Sequence, residues 1–570
     1  MSRKSPFGKL SMRIAGEKSS SLDQARGRIV LIVALFMGVY ILIAARLLDA
    51  TIIQGYFSNR GETETHETVK ETVQKRRGDI VDRNGVMLAA SLKTASLYAD
   101  QKRITDPVAA AKALSNIFPE MRYGDLLKKV QGEKRFVWIR RNLTPSEQRR
   151  ILEIGEPGLA FEYDYRRVYP QGKMTSHIVG YTDTDGKGIA GIEHSFNKLL
   201  TGSSDPLKLT MDIRLQHIMK RELQKAITDF TAIGGAGIIM DVNTGEVLAS
   251  VSLPDFDPHE TKVDISDSKR FNRATLGVYE LGSTFKVFTA AAVLEKDHIT
   301  MSKTFDATRP LKRGRFTISD YHPEKRALTL PETFMVSSNI GTALMAEEVG
   351  TAGMKNMYRD LGFMEKADFE IDELGKPIIP NPWREINTLT ASYGHGIAVS
   401  PLQLISGVSS IANGGYLIKP TIIKKDDKDM KKSEVRIISK ETSLKMRQLL
   451  RLVVSDGTAR KADVKGYMVG GKTGTSDKNF NGRYAKDRRM SSFIGVFPIN
   501  DPKYAVLIVV DEPHGNKSSY GYATAGWVAA PAAARVISSI GPILNMKTDM
   551  EAPDLAEPLR PFLHDKVAEH

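Results

Sequence analysis

The chain is 570 residues long with 41% hydrophobic and 26% charged residues, which excludes wholesale disorder, and its mean hydropathy of −0.25 excludes a polytopic membrane protein. It has no cysteine, hence no disulfide, thiolate nucleophile or thiolate metal site, and it suits an oxidising compartment. A formal net charge of +14 favours an acidic polymer or a membrane surface as partner, with nucleic acid still a candidate on charge alone.

The first 28 residues carry Arg3, Lys4, Lys9, Arg13, Lys18, Arg26 and Arg28 against only Glu17 and Asp23. Ile29 to Ala45 then run seventeen residues without a charge. Leu47 and Leu48 extend the run past Arg46, whose long side chain can reach outward. At about 1.5 Å per residue this is a short membrane span. A cleaved signal, with an apolar core of about 7–15 residues, is the alternative, and Ala44-Ala45 would suit its cleavage site. The longer run favours a cytoplasmic tail (1–28) and a single transmembrane anchor (29–48). The positive-inside rule then puts the rest outside the cytoplasm, which removes nucleic acid as a partner.

Beyond the anchor, residues 49–230 are polar and mixed. Thr63–Glu71 read as an extended connector, and Asn84-Gly85 is a hairpin signal after the segment Arg77–Asp82. Leu215–Ile227 have helical spacing. From about Gly234 the texture changes. Residues 236–241 and 246–251 read as two strands around an Asn243-Thr244-Gly245 turn, and 491–497 and 504–510 as two more, with helical patterns between the pairs. This is an α+β arrangement for a second domain over 231–545. Residues 546–570, with Pro553, Pro558 and Pro561 among charges, read as a flexible C-terminal tail.

Three short motifs carry chemistry. Ser283-Thr284-Phe285-Lys286 heads a segment that is apolar on nearly every face, so its helix should be buried. Serine and lysine three apart share a helix face. Burial favours the neutral amine, making Lys286 a base able to activate Ser283. The same spacing recurs at Ser195–Lys198 and Ser266–Lys269, without a long apolar helix behind it. The second motif is Ser337-Ser338-Asn339, where Ser337 could relay a proton and the Asn339 amide could bind a peptide carbonyl; a plain helix N-cap is the bland alternative. The third is Lys472-Thr473-Gly474-Thr475, whose lysine supplies positive charge and whose threonines could grip a carboxylate. Gly474 would let a substrate backbone approach, against the bland alternative of an edge strand and turn. His177 and His194 read as satisfying local hydrogen bonds, and His395 lies in a glycine-flanked loop that could approach the site. With no cysteine and no clustered histidine, neither a metal nor another cofactor is expected.

In this order, Ser-x-x-Lys, Ser-x-Asn and Lys-Thr-Gly are the set shared by penicillin-binding proteins and serine β-lactamases. With 77–85 (RGDIVDRNG), 167–172 (RVYPQG), 188–202 (GIAGIEHSFNKLLTG), 279–286 (YELGSTFK), 400–404 (SPLQL) and 470–475 (GGKTGT), the chain resembles a class B penicillin-binding protein. Its length and YGHGIAVSPLQL segment are nearest the septal, FtsI-like pattern. Leu281 and Ser400 depart from the proline and threonine usual in the family. The resemblance implies an antiparallel sheet flanked by helices, preceded by an elongated N-terminal pedestal or dimerisation-type module. It implies a serine-type D-Ala-D-Ala transpeptidase that cross-links peptidoglycan stem peptides at the division septum and is acylated by β-lactams. Ser283 would be nucleophile, Lys286 base and Ser337 proton relay beside Lys472. Asn339, Thr473, Gly474 and Thr475 would bind substrate, with the Ser283 and Thr475 N–H groups as oxyanion hole. Implied partners are a SEDS-family glycosyltransferase and other divisome proteins, at the inner membrane with the catalytic domain periplasmic. The rivals are an elongation-type transpeptidase, a D,D-carboxypeptidase or β-lactamase-like hydrolase, and a non-catalytic divisome scaffold.

Overall fold

The computed structural model describes residues 21–48, 76–203, 205–260, 267–425, 434–480 and 483–564. The chain divides into two units, Met1–Val73 and Gln74–His570. Of the first, one helix is described, α1 (Ser21–Leu48), with Leu35, Phe36, Tyr40 and Leu42 exposed. Among the described residues no helix is long and apolar enough to cross a membrane, and several side chains of the expected span, residues 29–48, lie outside the description. The connector expected over Thr63–Glu71 also lies outside it.

The second unit opens with β1 (Ile80–Val81), antiparallel to the long β2 (Met87–Ala99). The turn between them is where Asn84-Gly85 puts it. Gly85 has φ +87°, and the Asp82 carboxylate accepts from the N–H groups of Asn84 (2.7 Å) and Val86 (2.8 Å). Two helices follow, α2 (Pro107–Ile117) and α3 (Tyr123–Val130). The first starts at an Asp106 cap with proline in its first turn. Strand β3 (Val137–Leu143), helix α4 (Pro145–Leu152) and strand β4 (Leu159–Val168) complete a head. Its core of Leu97, Leu114, Phe118, Leu126, Ile139 and Ile151 is separate from the rest. The base is different: Ile80, Leu88, Tyr169, Ile178 and Ile192 belong to the main core. There a buried carboxylate, Glu193, sits between two guanidiniums, 2.5 Å from Arg77 Nε and 2.6 Å from Arg167 Nε. His177 is half-buried beside Phe256 with its Nε2 3.4 Å from the Pro254 carbonyl, and desolvation pushes it down to about 4. His194 pairs with Asp372 at 2.7 Å.

After α5 (Ile213–Asp229) come β5 (Gly234–Asp241) and β6 (Val247–Leu253). Far along the chain follow β7 (Gly470–Phe480), β8 (Arg483–Phe497) and β9 (Tyr504–Asp511). They form one antiparallel sheet in the order β7-β8-β9-β5-β6. Both strand pairs read from the sequence are present, and β7, which carries Lys472 to Thr475, is an edge. Helix α5 and the late helix Ala529–Ile540 pack on the sheet, and the helices Pro401–Ala412 and Lys440–Ser455 also lie against it. The helix Lys286–Leu294 runs among the others with every residue buried, as its all-round apolar pattern requires.

The C-terminal stretch differs from the flexible tail expected from residue 546. Residues up to 564 are laid on the body, with Ala556 and Leu559 buried and a 3-10 turn over Glu557–Phe562. The prolines interrupt regular helix, and buried apolar side chains together with hydrogen bonds at Asp554 and His564 hold the segment down. Residues 565–570 lie outside the description.

Candidate active site

Ser283 lies in a 3-10 turn, Gly282–Phe285, and Lys286 opens the buried helix behind it. In a 3-10 turn, side chains three apart eclipse, so the turn itself aligns Ser283 with Lys286. Gly282 allows the entry: its φ is +55°, and a Cβ there would sit 3.0 Å from the Thr475 carbonyl. Ser283 is half-buried, and among the described residues no hydrogen bond ends on its hydroxyl. Lys286 is 1% exposed. Its Nζ donates to the Ser337 carbonyl (2.5 Å), Ser337 Oγ (3.1 Å) and Asn339 Oδ1 (2.8 Å). Burial drives this amine well below its ordinary pKa, the Lys472 charge pushes the same way, and the Asp320 carboxylate opposes them. The direction of the shift favours the neutral amine, which has two N–H groups to give and a lone pair that can take a proton.

The second motif enters from a short capped helix, Leu330–Met335, where Thr329 and Glu332 form a capping box. Ser337 then turns left-handed, with φ +62°. Such backbone in a non-glycine residue costs on the order of 1–3 kcal/mol and persists only where its surroundings hold it. The holder is Asp320. Its carboxylate accepts from Ser338 Oγ (2.7 Å) and from the N–H groups of Asn339 (2.5 Å) and Ile340 (3.0 Å), at the start of the helix Asn339–Asp360. The N-cap reading is therefore correct, but for Ser338, whose Oγ accepts from Gly341 N at 3.0 Å. With Ser338 spent on the cap, Ser337 and Asn339 on either side face Lys286. Asn339 also donates from Nδ2 to the Ser319 carbonyl (3.0 Å), which fixes its amide and leaves one N–H for another acceptor. Sequence reasoning missed Asp320: it lies in a polar loop seventeen residues before Ser337, with no motif around it.

Lys472 reaches the same point from β7. Its Nζ donates to Ser337 Oγ at 2.9 Å, so one hydroxyl lies between two buried lysines. Lys472 is 0% exposed, and burial lowers it to about 7. It is thus only partly charged near neutrality, so the positive charge it supplies is less than a full one. The remaining motif residues sit at the site with duties of their own. Thr473 Oγ1 is 2.7 Å from Thr458 Oγ1, and Thr475 Oγ1 accepts from Ala525 N at 3.1 Å. Gly474 is required by the protein itself: a Cβ would stand 2.4 Å from the Leu281 carbonyl and 2.6 Å from Ser492 Oγ. The strand packs there against the turn that presents Ser283, and Ser476 Oγ donates to the Glu280 carbonyl beside it.

At the rim, the Tyr484 hydroxyl donates to Glu280 Oε1 (3.0 Å), and its ring lies 4.3 Å from that of His395. Gly394, next to His395, approaches the Gly282 carbonyl so closely that a Cβ would stand 2.2 Å from it. His395 therefore borders the site, in contact with groups around Ser283. Of the other two Ser-x-x-Lys copies, Ser195–Lys198 lies in the N-terminal module and Ser266 lies outside the described residues. Among the described residues no three His, Asp or Glu side chains are grouped to hold a metal ion.

Chemically, the cluster joins a hydroxyl-bearing turn to an amine whose burial favours its neutral form, a shared hydroxyl and a second, partly charged amine. Because β7 is an edge strand, alternate backbone N–H and C=O groups on its free side are unpaired and can receive an extended peptide.

The penicillin binding protein transpeptidase domain matches residues 235–537, and the penicillin-binding protein dimerisation domain matches residues 72–226. The chain is 40% identical over 497 residues to a probable peptidoglycan D,D-transpeptidase FtsI of Caulobacter vibrioides, covering 85% of this chain and 84% of the relative. It is 30% identical over 534 residues to a probable peptidoglycan D,D-transpeptidase PenA of Neisseria meningitidis, covering 88% and 89%. Among solved structures, penicillin binding protein 3 from Mycobacterium tuberculosis, complexed with aztreonam, matches in fold with a TM-score of 0.65 at 24% identity, over 85% of this chain and 98% of that one.

Proposed function

This chain belongs to the penicillin-binding protein transpeptidase family, and on that ground we propose that it is a peptidoglycan D,D-transpeptidase working through an acyl-enzyme on Ser283 at the division septum. The observation that carries the mechanism is Ser337 Oγ lying 3.1 Å from Lys286 Nζ and 2.9 Å from Lys472 Nζ. Neutral Lys286 takes the proton as Ser283 Oγ attacks the penultimate D-Ala carbonyl of a donor stem peptide. The oxyanion that forms is met by the N–H groups of Ser283 and Thr475, which stabilise charge absent from the ground state. As the C–N bond breaks, Ser337 gives its proton to the departing D-Ala amine and recovers one from the Lys286 ammonium. An amine of a neighbouring stem peptide then attacks the ester, closes the cross-link and frees Ser283. The one unused Asn339 N–H and the hydroxyls of Thr473 and Thr475 orient the donor, with Lys472 attracting its terminal carboxylate and Gly474 keeping the strand close to Ser283. A β-lactam enters the same path and leaves a lasting ester.

The chain-level reading follows. Residues 29–48 anchor the protein, supported by the charge-free run Ile29–Ala45 behind a basic tail. Residues 49–230 act as a pedestal and 231–545 as the catalytic domain on the periplasmic side. The relative named FtsI supports a septal role, with a SEDS-family polymerase and divisome proteins as partners. The decisive experiment is intact mass of the full chain in detergent micelles after incubation with benzylpenicillin, beside Ser283→Ala. A lasting gain of one penicillin, absent from the variant, is expected. Hydrolysis without an adduct would mean a hydrolase, and neither adduct nor hydrolysis a scaffold.

A further inference from the structure

The C-terminal segment, expected to be loose, instead makes its contacts close behind the two elements that meet at Ser337. The Asp549 N–H donates to the Gly466 carbonyl at 3.0 Å, just before β7. The Asp554 carboxylate takes Arg451 Nε at 3.1 Å on both oxygens. Arg451 is itself buried and donates to the Val469 carbonyl at 2.9 Å, three residues before Lys472. The chain then crosses, with Leu559 1% exposed, to the helix Leu330–Met335. There the Phe562 carbonyl accepts from Thr329 Oγ1 (2.9 Å), and Glu332 Oε1 accepts both the backbone N–H and the ring Nδ1 of His564 (2.8 Å each). Glu332 is 0% exposed, and its other oxygen takes Arg326 Nη1 and the Thr329 N–H, each at 2.9 Å. The capping box that starts the helix into Ser337 is thus completed by the far end of the chain.

We propose that residues 549–564 are a positioning strap. By holding the lead-in to Lys472 and the helix before Ser337 at once, the strap sets the spacing of Ser337 to its two lysines, and hence the rate at which Ser283 is acylated. The proposal rests on the transpeptidase reading of this site. Its geometry is economical: one segment bridges two elements 135 residues apart in sequence, where no strand pairing ties Ser337 to β7. Neither contact point touches the reacting groups, so Glu332, Asp554 and His564 act through Ser337 and Lys472.

A strap that only added stability would leave the chemistry of the surviving fold unchanged, whereas a positioning strap would not. Burial in the closed cluster favours the neutral form of both Lys286 and Lys472. The charged groups bearing on Lys286 are Lys472 and Asp320; Glu332 faces the Arg326 guanidinium and the hydrogen-bonding ring of His564. Loosening the cluster admits water, favours the ammonium forms and moves the acid limb of acylation to higher pH.

The test is the pH profile of benzylpenicillin acylation of the full chain in detergent micelles. It compares wild type, Glu332→Gln, His564→Ala, Asp554→Asn and a chain ending at residue 548, with the thermal midpoint of each. At neutral pH and below its melting point, each strap variant should acylate more slowly, on the order of 10- to 100-fold for the truncation, as about 1 Å of misplacement at reacting groups can produce. The acid limb should move upward, and the non-covalent dissociation constant should change little. Folded variants with wild-type rate and profile would overturn the proposal. If the truncated chain does not fold, the three single variants decide on the same criteria. A wild type that is not acylated at all would overturn the transpeptidase reading itself, which the variant comparison alone could not do.

Discussion

Replacing Asp320 by asparagine separates two things this carboxylate does. It holds the start of the helix Asn339–Asp360 through three hydrogen bonds, from Ser338 Oγ (2.7 Å), Asn339 N (2.5 Å) and Ile340 N (3.0 Å). It is also the carboxylate whose charge opposes the fall in the Lys286 pKa. Asparagine keeps one acceptor for the two backbone N–H groups but loses the charge. A hydrogen bond to a charged group is worth about 1.5–3 kcal/mol and a neutral one about 0.5–1.5, so the exchange weakens the cap by roughly 2–3 kcal/mol in all. If about 2 kcal/mol of that falls on the arrangement needed for reaction, acylation at its pH plateau slows by roughly 30-fold. The acid limb moves the opposite way from mere loosening. Lys286 acts only when neutral, and removing the nearby negative charge makes its ammonium harder to keep. The limb should therefore shift to lower pH, so the variant loses less relative to wild type as pH falls. Second-order benzylpenicillin acylation measured from pH 5 to 9 reads both effects. An unchanged limb would show that Asp320 has no electrostatic hold on Lys286, and an upward shift that its loss merely opens the site.

Three further outcomes follow from the same geometry. Lys472 is fully buried and lowered to about 7, so the folded state binds fewer protons than the unfolded state from there to the ordinary lysine pKa. Its contribution to stability should rise with pH, by about 2.3 kcal/mol between pH 7 and 9 because the folded lysine is still half protonated at pH 7, and Lys472→Met should flatten that part of a stability-against-pH curve from denaturant unfolding. Glu193→Gln leaves Arg77 and Arg167 buried without their counter-charge and should cost about 3–5 kcal/mol, read by denaturant unfolding; a loss below 1 kcal/mol would mean that water reaches the pair. Gly474→Ala puts a methyl against the Leu281 carbonyl and Ser492 Oγ, so it should all but abolish acylation while far-UV circular dichroism stays unchanged, and near-normal acylation would show that β7 is free to move away from the Ser283 turn.

Which parts of this were legible in the sequence depends on how far the information reaches along the chain. Ser283 and Lys286 are set by one turn, so their alignment and the burial of the helix behind them could be read directly. Strands 236–241 and 246–251, with a tight turn between, are local in the same sense. Ser337 is not: it meets its lysines across 51 and 135 residues, and only a match to a known motif order brought the three together. The crowding at Gly474 is long-range as well, because the carbonyl that stands against it belongs to Leu281, nearly two hundred residues away. Asp320 and the C-terminal segment went unread because capping carboxylates and strapped chain ends have no periodicity. Charges and prolines look the same in sequence whether they wave in solvent or bind a buried glutamate.

The arrangement also explains why so much second-layer structure surrounds three short motifs. Two amines in one closed cluster repel if both are charged, and burying either as a cation is unfavourable by several kcal/mol. Ser337 adds the strain of its left-handed backbone. Within the motifs only the neutral acceptors on Ser337 and Asn339 offset these terms. The rest of the offset comes from groups behind them: Asp320 on the helix start, Glu332 with its Arg326 and His564 partners, and Arg451 on the carbonyl before β7. Each is a charged group with its own full set of partners, so each holds its position without drawing on the reacting cluster. A site built this way favours the neutral form of Lys286 and keeps Ser337 within reach of both lysines before any substrate arrives, and it does so only while the supports behind it stay in place.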